Sequence, residues 1–254
     1  MRDEQFDALW GEPAARSTAR FSVSQVDGLC EPARRYLRHA VSPGASIATA
    51  VRLRMHGEIK QKSSWHSFEA DQVIRSGRGF VWRARTKMKG FAVTGSDRWV
   101  DGVGAMRWKL LGLIPVVTAT GADISRAALG RVQVELVWLP TSLLAPDVRW
   151  ASTDTSHVGV DLNFADAPGH LDLSVGADGR LRTASISRWG NPEWSKKNHT
   201  AFRTHPFGAI VSAEKTFIGI TIPTEMRVGW YFGTERFETE GEFFRVTVDN
   251  AEFR

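Results

Sequence analysis

The chain has 254 residues, 42% of them hydrophobic, enough to bury a full core and an ordinary size for a single all-β or α+β domain. Its most apolar run, Leu110 to Val117, is short and holds Gly112 and Pro115, which excludes a transmembrane segment. The net charge is +5, but 33 basic residues are interleaved with 28 acidic ones and no polybasic run exists, so the balance argues against nucleic acid as a partner.

The first residues, Met1 to Gln5, carry charges of both signs with no apolar stretch behind them, unlike a secretory signal, and the expected compartment is the cytoplasm. Cys30 is the only cysteine, so it forms no internal disulfide and belongs to no zinc or redox motif; a small buried thiol is expected.

Residues 1–44 read as a helical segment. Asp3 is placed to cap a short turn presenting Phe6, Leu9 and Trp10, which Gly11-Glu12-Pro13 ends. Asp27 precedes a second helix in which Leu29, Ala33, Tyr36, Leu37 and Ala40 recur at helical spacing, and Ser42-Pro43-Gly44 stops it.

From Ile47 the period becomes two. Ile47, Thr49, Val51, Leu53, Met55 and Ile59 alternate with Ala48, Arg52, Arg54, His56, Glu58 and Lys60, the pattern of a half-buried strand. Trp65 to Ile74 and Phe80 to Met88 follow as a hairpin around Ser76-Gly77-Arg78-Gly79. A further strand spans Gly90 to Val100. The run Met106 to Val117 fits a strand, a short helix or a folded loop. A helix near 122–139 is expected from the spacing of Ile124, Ala127, Ala128, Val132, Glu135 and Val137, with Asp123 or Ser125 as cap and Pro140 as its end. Strands resume from Val148, through Val158 to Phe164, Leu171 to Val175 and Leu181 to Trp189, the last two joined at Asp178-Gly179. A polar loop, Gly190 to Pro206, leads to the strands Phe207 to Ile218, Thr224 to Phe232 and Phe243 to Val248.

The expected architecture is α+β: a strongly curved antiparallel sheet of about ten strands, a half-barrel or open barrel, with two or three helices packed on it. Residues 1–254 form one domain, with the curved sheet over 45–254 and one inserted helix.

No Walker-type loop, nucleophile elbow, His-Glu-x-x-His or Cys-x-x-Cys is present, and the seven histidines lack ligand spacing, so neither a cofactor nor a metal is expected. Ten tryptophans against two tyrosines admit two readings. One is a large aromatic core. The other is an apolar cavity lined by Trp82, Met88, Met106, Trp108, Trp138, Trp150 and Trp230 that takes a hydrophobic or amphipathic small molecule.

Glu135 lies among apolar helix neighbours with Arg131 one turn earlier, which fits a structural ion pair. Alternatively Glu135 or Asp154, with Arg85, sits at the cavity as general acid, base or orienting group of a cofactor-independent isomerase, cyclase or hydrolase. The row Arg83, Arg85, Lys87 and Lys89 fits a solvated sheet face or a binder of anionic surfaces.

Several motifs are characteristic. They are the run Gly104 to Val116, Glu135-Leu136-Val137-Trp138-Leu139-Pro140, Val148-Arg149-Trp150, Arg35-Tyr36-Leu37, Trp65-x-x-Phe68-x-Ala70-x-Gln72, Gly79-Phe80-x-Trp82-x-Ala84-Arg85, Pro206-Phe207-Gly208 and Gly219-Ile220-Thr221-Ile222-Pro223. Across most of its length the chain resembles a bacterial family of uncharacterised proteins. The family brings no activity with it. At the level of fold the pattern is similar to the lipoprotein-carrier half-barrel, in which a curved antiparallel sheet under helices holds acyl chains; those carriers are exported, and this chain departs from them in its amino terminus.

Overall fold

Among the described residues the alternating segments pair into a continuous antiparallel sheet of 13 strands. The computed structural model describes residues 3–12, 19–193 and 201–254. The strands are β1 (Ala50–Gln61), β2 (Ser64–Arg75), β3 (Gly79–Met88), β4 (Phe91–Val100), β5 (Val103–Leu110), β6 (Ile114–Thr120), β7 (Arg149–Ser152), β8 (His157–Phe164), β9 (Ala167–Val175), β10 (Leu181–Gly190), β11 (Arg203–Phe217), β12 (Ile220–Trp230) and β13 (Glu242–Phe253). Helices α1 (Glu4–Gly11), α2 (Glu31–Ala40) and α3 (Ala122–Glu135) complete the α+β fold.

The spatial order is β6-β5-β4-β3-β2-β1-β13-β12-β11-β10-β9-β8-β7, so β6 and β7 are open edges and the first and last strands meet in the middle. Their register runs from Val51 opposite Phe253 to Ile59 opposite Phe244, with a bulge at Arg54/Met55.

The strand count exceeds the expected ten for two reasons. The apolar run after Met106 is itself a hairpin, β5–β6, because Leu111 and Gly112 take positive φ (52° and 72°) and reverse the chain. The segment after Val148 also contributes a short edge strand of four residues, β7.

Curvature follows from α3. This helix touches β3, β4, β5 and β6 on one side and β9 and β10 on the other. Strands β5 and β10 stand eight places apart in the sheet order, about 38 Å if the sheet were flat, whereas 14 residues of helix span about 21 Å. One helix reaches both only because the sheet bends around it, so α3 defines an inner face.

Two glycines let the helix sit close. A Cβ on Gly104 of β5 would lie 2.6 Å from the Ser125 Cα, and one on Gly169 of β9 would lie 2.6 Å from the Gln133 amide. Gly121, not Asp123 or Ser125, occupies the N-cap; the Ser125 hydroxyl instead accepts from the Gly104 N–H at 2.9 Å. Beyond Glu135 the chain continues in short 3-10 turns at Leu136–Trp138 and Pro140–Leu144.

The main core lies on the inner face, where Leu53, Met55, Phe80, Trp82, Leu139 and Leu171 are all at most 2% exposed. Each such burial is worth about 1.5–3 kcal/mol. Helix α2 adds Ala33, Tyr36, Leu37 and Ala40 to it. Cys30 rather than Asp27 precedes α2, Pro32 fits its first turn, and Asp27 pairs with Arg38 at 2.6 Å.

Helix α1 packs on the outer face, where Phe6 and Leu9 meet Val73 and Val81. Asp3 caps it as expected, accepting from the Gln5 N–H at 3.1 Å. Arg75 satisfies its last carbonyls, donating to Leu9 O at 2.6 Å and Glu12 O at 2.9 Å. Strands β10 and β11 reach into the stretch expected as a polar loop, up to Gly190 and from Arg203; residues 194–200 of that loop, Trp194 among them, lie outside the described residues.

Candidate functional site

Alternation decides which side chains meet α3. Opposed residues in an antiparallel pair share a face, so Gln72, Trp82, Asp97 and Met106, which stand opposite one another across β2 to β5, all point inward. Arg131 and Glu135, four residues apart on α3, descend onto them.

The result is a polar cluster inside an aromatic shell. Arg131 Nε donates to Glu135 Oε1 at 2.7 Å and Nη1 to Asp97 Oδ2 at 3.2 Å. Gln72 Nε2 donates to Glu135 Oε2 at 2.6 Å, and Trp108 Nε1 to Asp97 Oδ1 at 2.9 Å. The Arg131 guanidinium lies 4.7 Å from the Phe80 ring centre and 5.2 Å from that of Trp82. The three charged side chains are only 13–18% exposed.

Burial pushes the Asp97 carboxyl above its ordinary range, against the pull of Arg131 and the Trp108 N–H. Burial also works against the Arg131 charge, but Glu135 and Asp97 outweigh it and hold that guanidinium above its ordinary value. Gln72 Oε1 and Trp82 Nε1 are buried with no hydrogen-bond partner among the described residues.

A second arginine, Arg188 of β10, flanks the cluster. Its stem passes α3 at Gly130, where an added Cβ would lie 3.1 Å from Arg188 Cγ. Its Nε donates to the Ala127 carbonyl at 3.0 Å. The guanidinium lies 4.4 Å from the Phe207 ring centre and 4.9 Å from that of Trp230, which themselves meet edge to face at 4.9 Å. Gly190 makes room for this wall: a Cβ there would lie 2.2 Å from the Trp230 indole.

No carboxylate among the described residues lies within 4.0 Å of Arg188. Residues 1–2, 13–18 and 194–200 contain no Asp or Glu. Burial and the neighbouring Arg131 charge bring the Arg188 pKa down to about 9, with Glu135 and Asp97 partly opposing. His205 stands opposite Arg188 on β11, and burial with Arg203 and Arg236 nearby lowers its pKa.

The other expected residues are placed as follows. Trp82 and Trp108 meet at 5.7 Å in the shell. Trp138 is 2% exposed on the turn after α3 and donates to the Pro223 carbonyl at 3.0 Å. Trp150 donates to the Leu143 carbonyl at 3.3 Å and faces Tyr36 at 6.2 Å, away from the cluster. Met88 ends β3 opposite Phe91, half-buried.

Two residues do not join the site. Arg85 is three positions from Trp82, an odd step that turns it to the outer face, where it pairs with Glu69 at 2.6 Å and is 73% exposed. It lines an open outer trough of about 580 Å³ with Arg83, Asp71 and Thr94. Asp154 lies in the exposed β7–β8 turn, accepting from the Ser156 and His157 N–H groups at 2.7 and 2.8 Å; these bonds and His157 hold its carboxyl far below the usual range. No group of three His, Cys, Asp or Glu side chains that would hold a metal occurs among the described residues. Among them, too, no helix is long and apolar enough to cross a membrane.

The fold and the cluster define an α+β protein whose wide open antiparallel sheet bends around a helix carrying a buried ionic centre. The chain belongs to a family of unknown function, DUF6920, whose family model matches residues 27–253. No curated protein matches the chain. Solved structures that the chain is similar to include three at low identity. A DUF1329 family protein from Desulfovibrio piger has TM-score 0.44 and 11% identity, over 91% of this chain and 92% of that one. An outer membrane lipoprotein-sorting protein domain from Vibrio parahaemolyticus has TM-score 0.43 and 8% identity, over 87% and 91%. A LolA superfamily protein from Nitrosomonas europaea has TM-score 0.38 and 12% identity, over 88% and 92%.

Proposed function

We propose that the protein binds an amphipathic small molecule with an anionic head on the inner face of its sheet, beside α3. Arg188 is the observation that carries this reading. A guanidinium offers five donors; here Nε is taken by a carbonyl, the Phe207 and Trp230 rings lie 4.4 and 4.9 Å from its centre, and no carboxylate is within 4.0 Å among the described residues. A half-buried cation in such a setting is stabilised by an anion that takes its two terminal nitrogens in parallel, as carboxylates and phosphates do.

From Phe207 the aromatic wall runs through Phe243 at 6.3 Å to Phe244 at 6.4 Å, then to Phe68 at 4.9 Å and Trp82 at 6.0 Å, with Trp108 5.7 Å beyond Trp82, and it would receive the apolar part. Arg188 thus takes the orienting role first sought in Arg85. Glu135 is held on both oxygens by Arg131 and Gln72, which supports a role in fixing α3 on the sheet. The unbroken sheet supports reading the chain as one domain. The unpaired thiol of Cys30 is compatible with a cytoplasmic setting.

The test is a tryptophan-fluorescence titration with decanoate, decyl phosphate and decanol. Saturable quenching is expected, with the two anions binding at least about tenfold more tightly than the alcohol. Arg188→Met removes that preference and Arg188→Lys retains part of it. A spectrum unresponsive to all three would sink the reading.

A further inference from the structure

Three hairpin tips, β1–β2, β3–β4 and β5–β6, lie side by side at one end of the sheet. The registers place Ile59 opposite His66, Phe68 opposite Thr86 and Val93 opposite Leu110, and the Leu111 N–H donates to the Ala92 carbonyl at 2.8 Å. Five of the chain's eight lysines, Lys60, Lys62, Lys87, Lys89 and Lys109, stand on these tips. Residues 60–66, 86–92 and 107–120 contain no Asp or Glu. In a chain where the two signs are otherwise interleaved, this is a local excess of positive charge.

The same tips carry a concentration of exposed apolar side chains. Phe91, Leu111, Leu113, Ile114 and Val116 are each 50–80% exposed. Leu113 projects from the β5–β6 turn, and Ile114 and Val116 continue along the edge strand β6. Apolar side chains at a protruding tip, flanked by lysines with long flexible stems, match a membrane interface: the apolar groups enter the acyl boundary while the ammonium groups stay at the headgroups.

We infer that this end of the sheet docks on an anionic lipid surface, with the β5–β6 turn inserted and the five lysines against the headgroups. Charge complementarity selects this occupant. A second copy of the chain joined through the same patch would set lysine against lysine. A nucleic acid would leave the five apolar side chains in water. A neutral bilayer would take the turn but not the lysines, each of which multiplies partition onto an anionic surface by about fivefold. The inference does not depend on a ligand at Arg188.

The experiment is co-sedimentation of the full chain with phosphatidylcholine vesicles made with and without phosphatidylglycerol. Partition onto the anionic vesicles is expected to exceed that onto neutral ones by at least about tenfold and to weaken as salt is raised. Two double variants at exposed positions separate the contributions: Leu113→Asn with Ile114→Asn, and Lys87→Glu with Lys89→Glu. Each is expected to lower partition at least about fivefold, the second without affecting neutral vesicles. Absence of partition overturns the inference, as does partition that neither variant changes. Sedimentation velocity provides the remaining arm: a dimer that Leu113→Asn with Ile114→Asn dissolves, with no vesicle binding, assigns the patch to a second copy.

Discussion

Replacing Arg131 by methionine keeps the apolar stem of the side chain and removes the guanidinium on whose charge the inner cluster turns. Two carboxylates, Asp97 and Glu135, lose their hydrogen bonds at 3.2 and 2.7 Å and stay under α3. At an effective dielectric of 20, each contact carries about 4 kcal/mol of attraction before desolvation is counted, and removing one partner from such a pair costs about 3–5 kcal/mol net. Gln72 and Trp108 still donate to the stranded groups, so the lower part of that range, about 3 kcal/mol, is expected near neutral pH. The loss should also depend on pH. Burial already holds the Asp97 pKa above its ordinary value, and without Arg131 it rises further. The native variant then binds a proton more tightly than the unfolded chain, so the deficit is complete above the folded pKa and shrinks as pH falls through it. Urea unfolding followed by tryptophan fluorescence, at about pH 8 and about pH 5, measures both effects. A loss below about 1 kcal/mol, or one equal at the two pH values, would refute the placement of Arg131 as counterion to both carboxylates.

Glu135→Gln should be milder, about 1–2 kcal/mol by the same assay, because Gln72 can rotate its otherwise unpartnered Oε1 toward the new amide; a loss as large as that of Arg131→Met would contradict this. Gly104→Ala inserts a methyl 2.6 Å from the Ser125 Cα and forces α3 off β5, an expected loss of about 1–3 kcal/mol by thermal melting, and an unchanged melt would disprove the close docking. The hydrogen bond that His170 donates to Asp161, then the charge of Asp172, raises the His170 pKa against burial; its stabilising contribution is therefore complete below about 6.5 and is lost as pH rises through the folded value. Asp161→Asn should bring the His170 titration, followed by NMR, back down, and an unmoved curve would exclude that bond as the cause. Arg85→Ala, on the outer face, should change stability by no more than about 0.5 kcal/mol and leave ligand titrations untouched; weakened binding would return Arg85 to the site.

Most strands were legible because one face is buried and the two-residue period survives, as in Leu53 and Met55 of β1 or Val158, Val160 and Leu162 of β8. The β5–β6 hairpin was not, because the apolar residues of that run face solvent and the period is lost around Gly112 and Pro115. Glu135 with Arg131 was legible from helical spacing alone. Asp97 and Arg188 were missed although parity marks both: Val93, Asp97 and Trp99 share one face of β4, and Ala184, Ile186 and Arg188 one face of β10. A charged residue in step with buried ones is the signal. The same rule separates Arg85 from Trp82, which stand at an odd interval. Parity along a strand does not show which face a helix will cover, and the position of α3, set by contacts between residues far apart in sequence, decides that.

The central pairing of β1 with β13 shapes how the chain assembles. Every other neighbour in the sheet is also the next strand along the chain, so residues 50–120 and 149–253 each form a meander from local hairpins alone. Among the 13 strands of the described residues, the seam from Val51–Phe253 to Ile59–Phe244 is the strand pairing that joins residues about two hundred positions apart, and α3, running between the outer edges of the two meanders, then bridges them from within. Zipping of this single ladder, which must close the longest loop, is therefore expected to set the folding rate, a step that brings the two ends of the sheet-forming chain together at its centre.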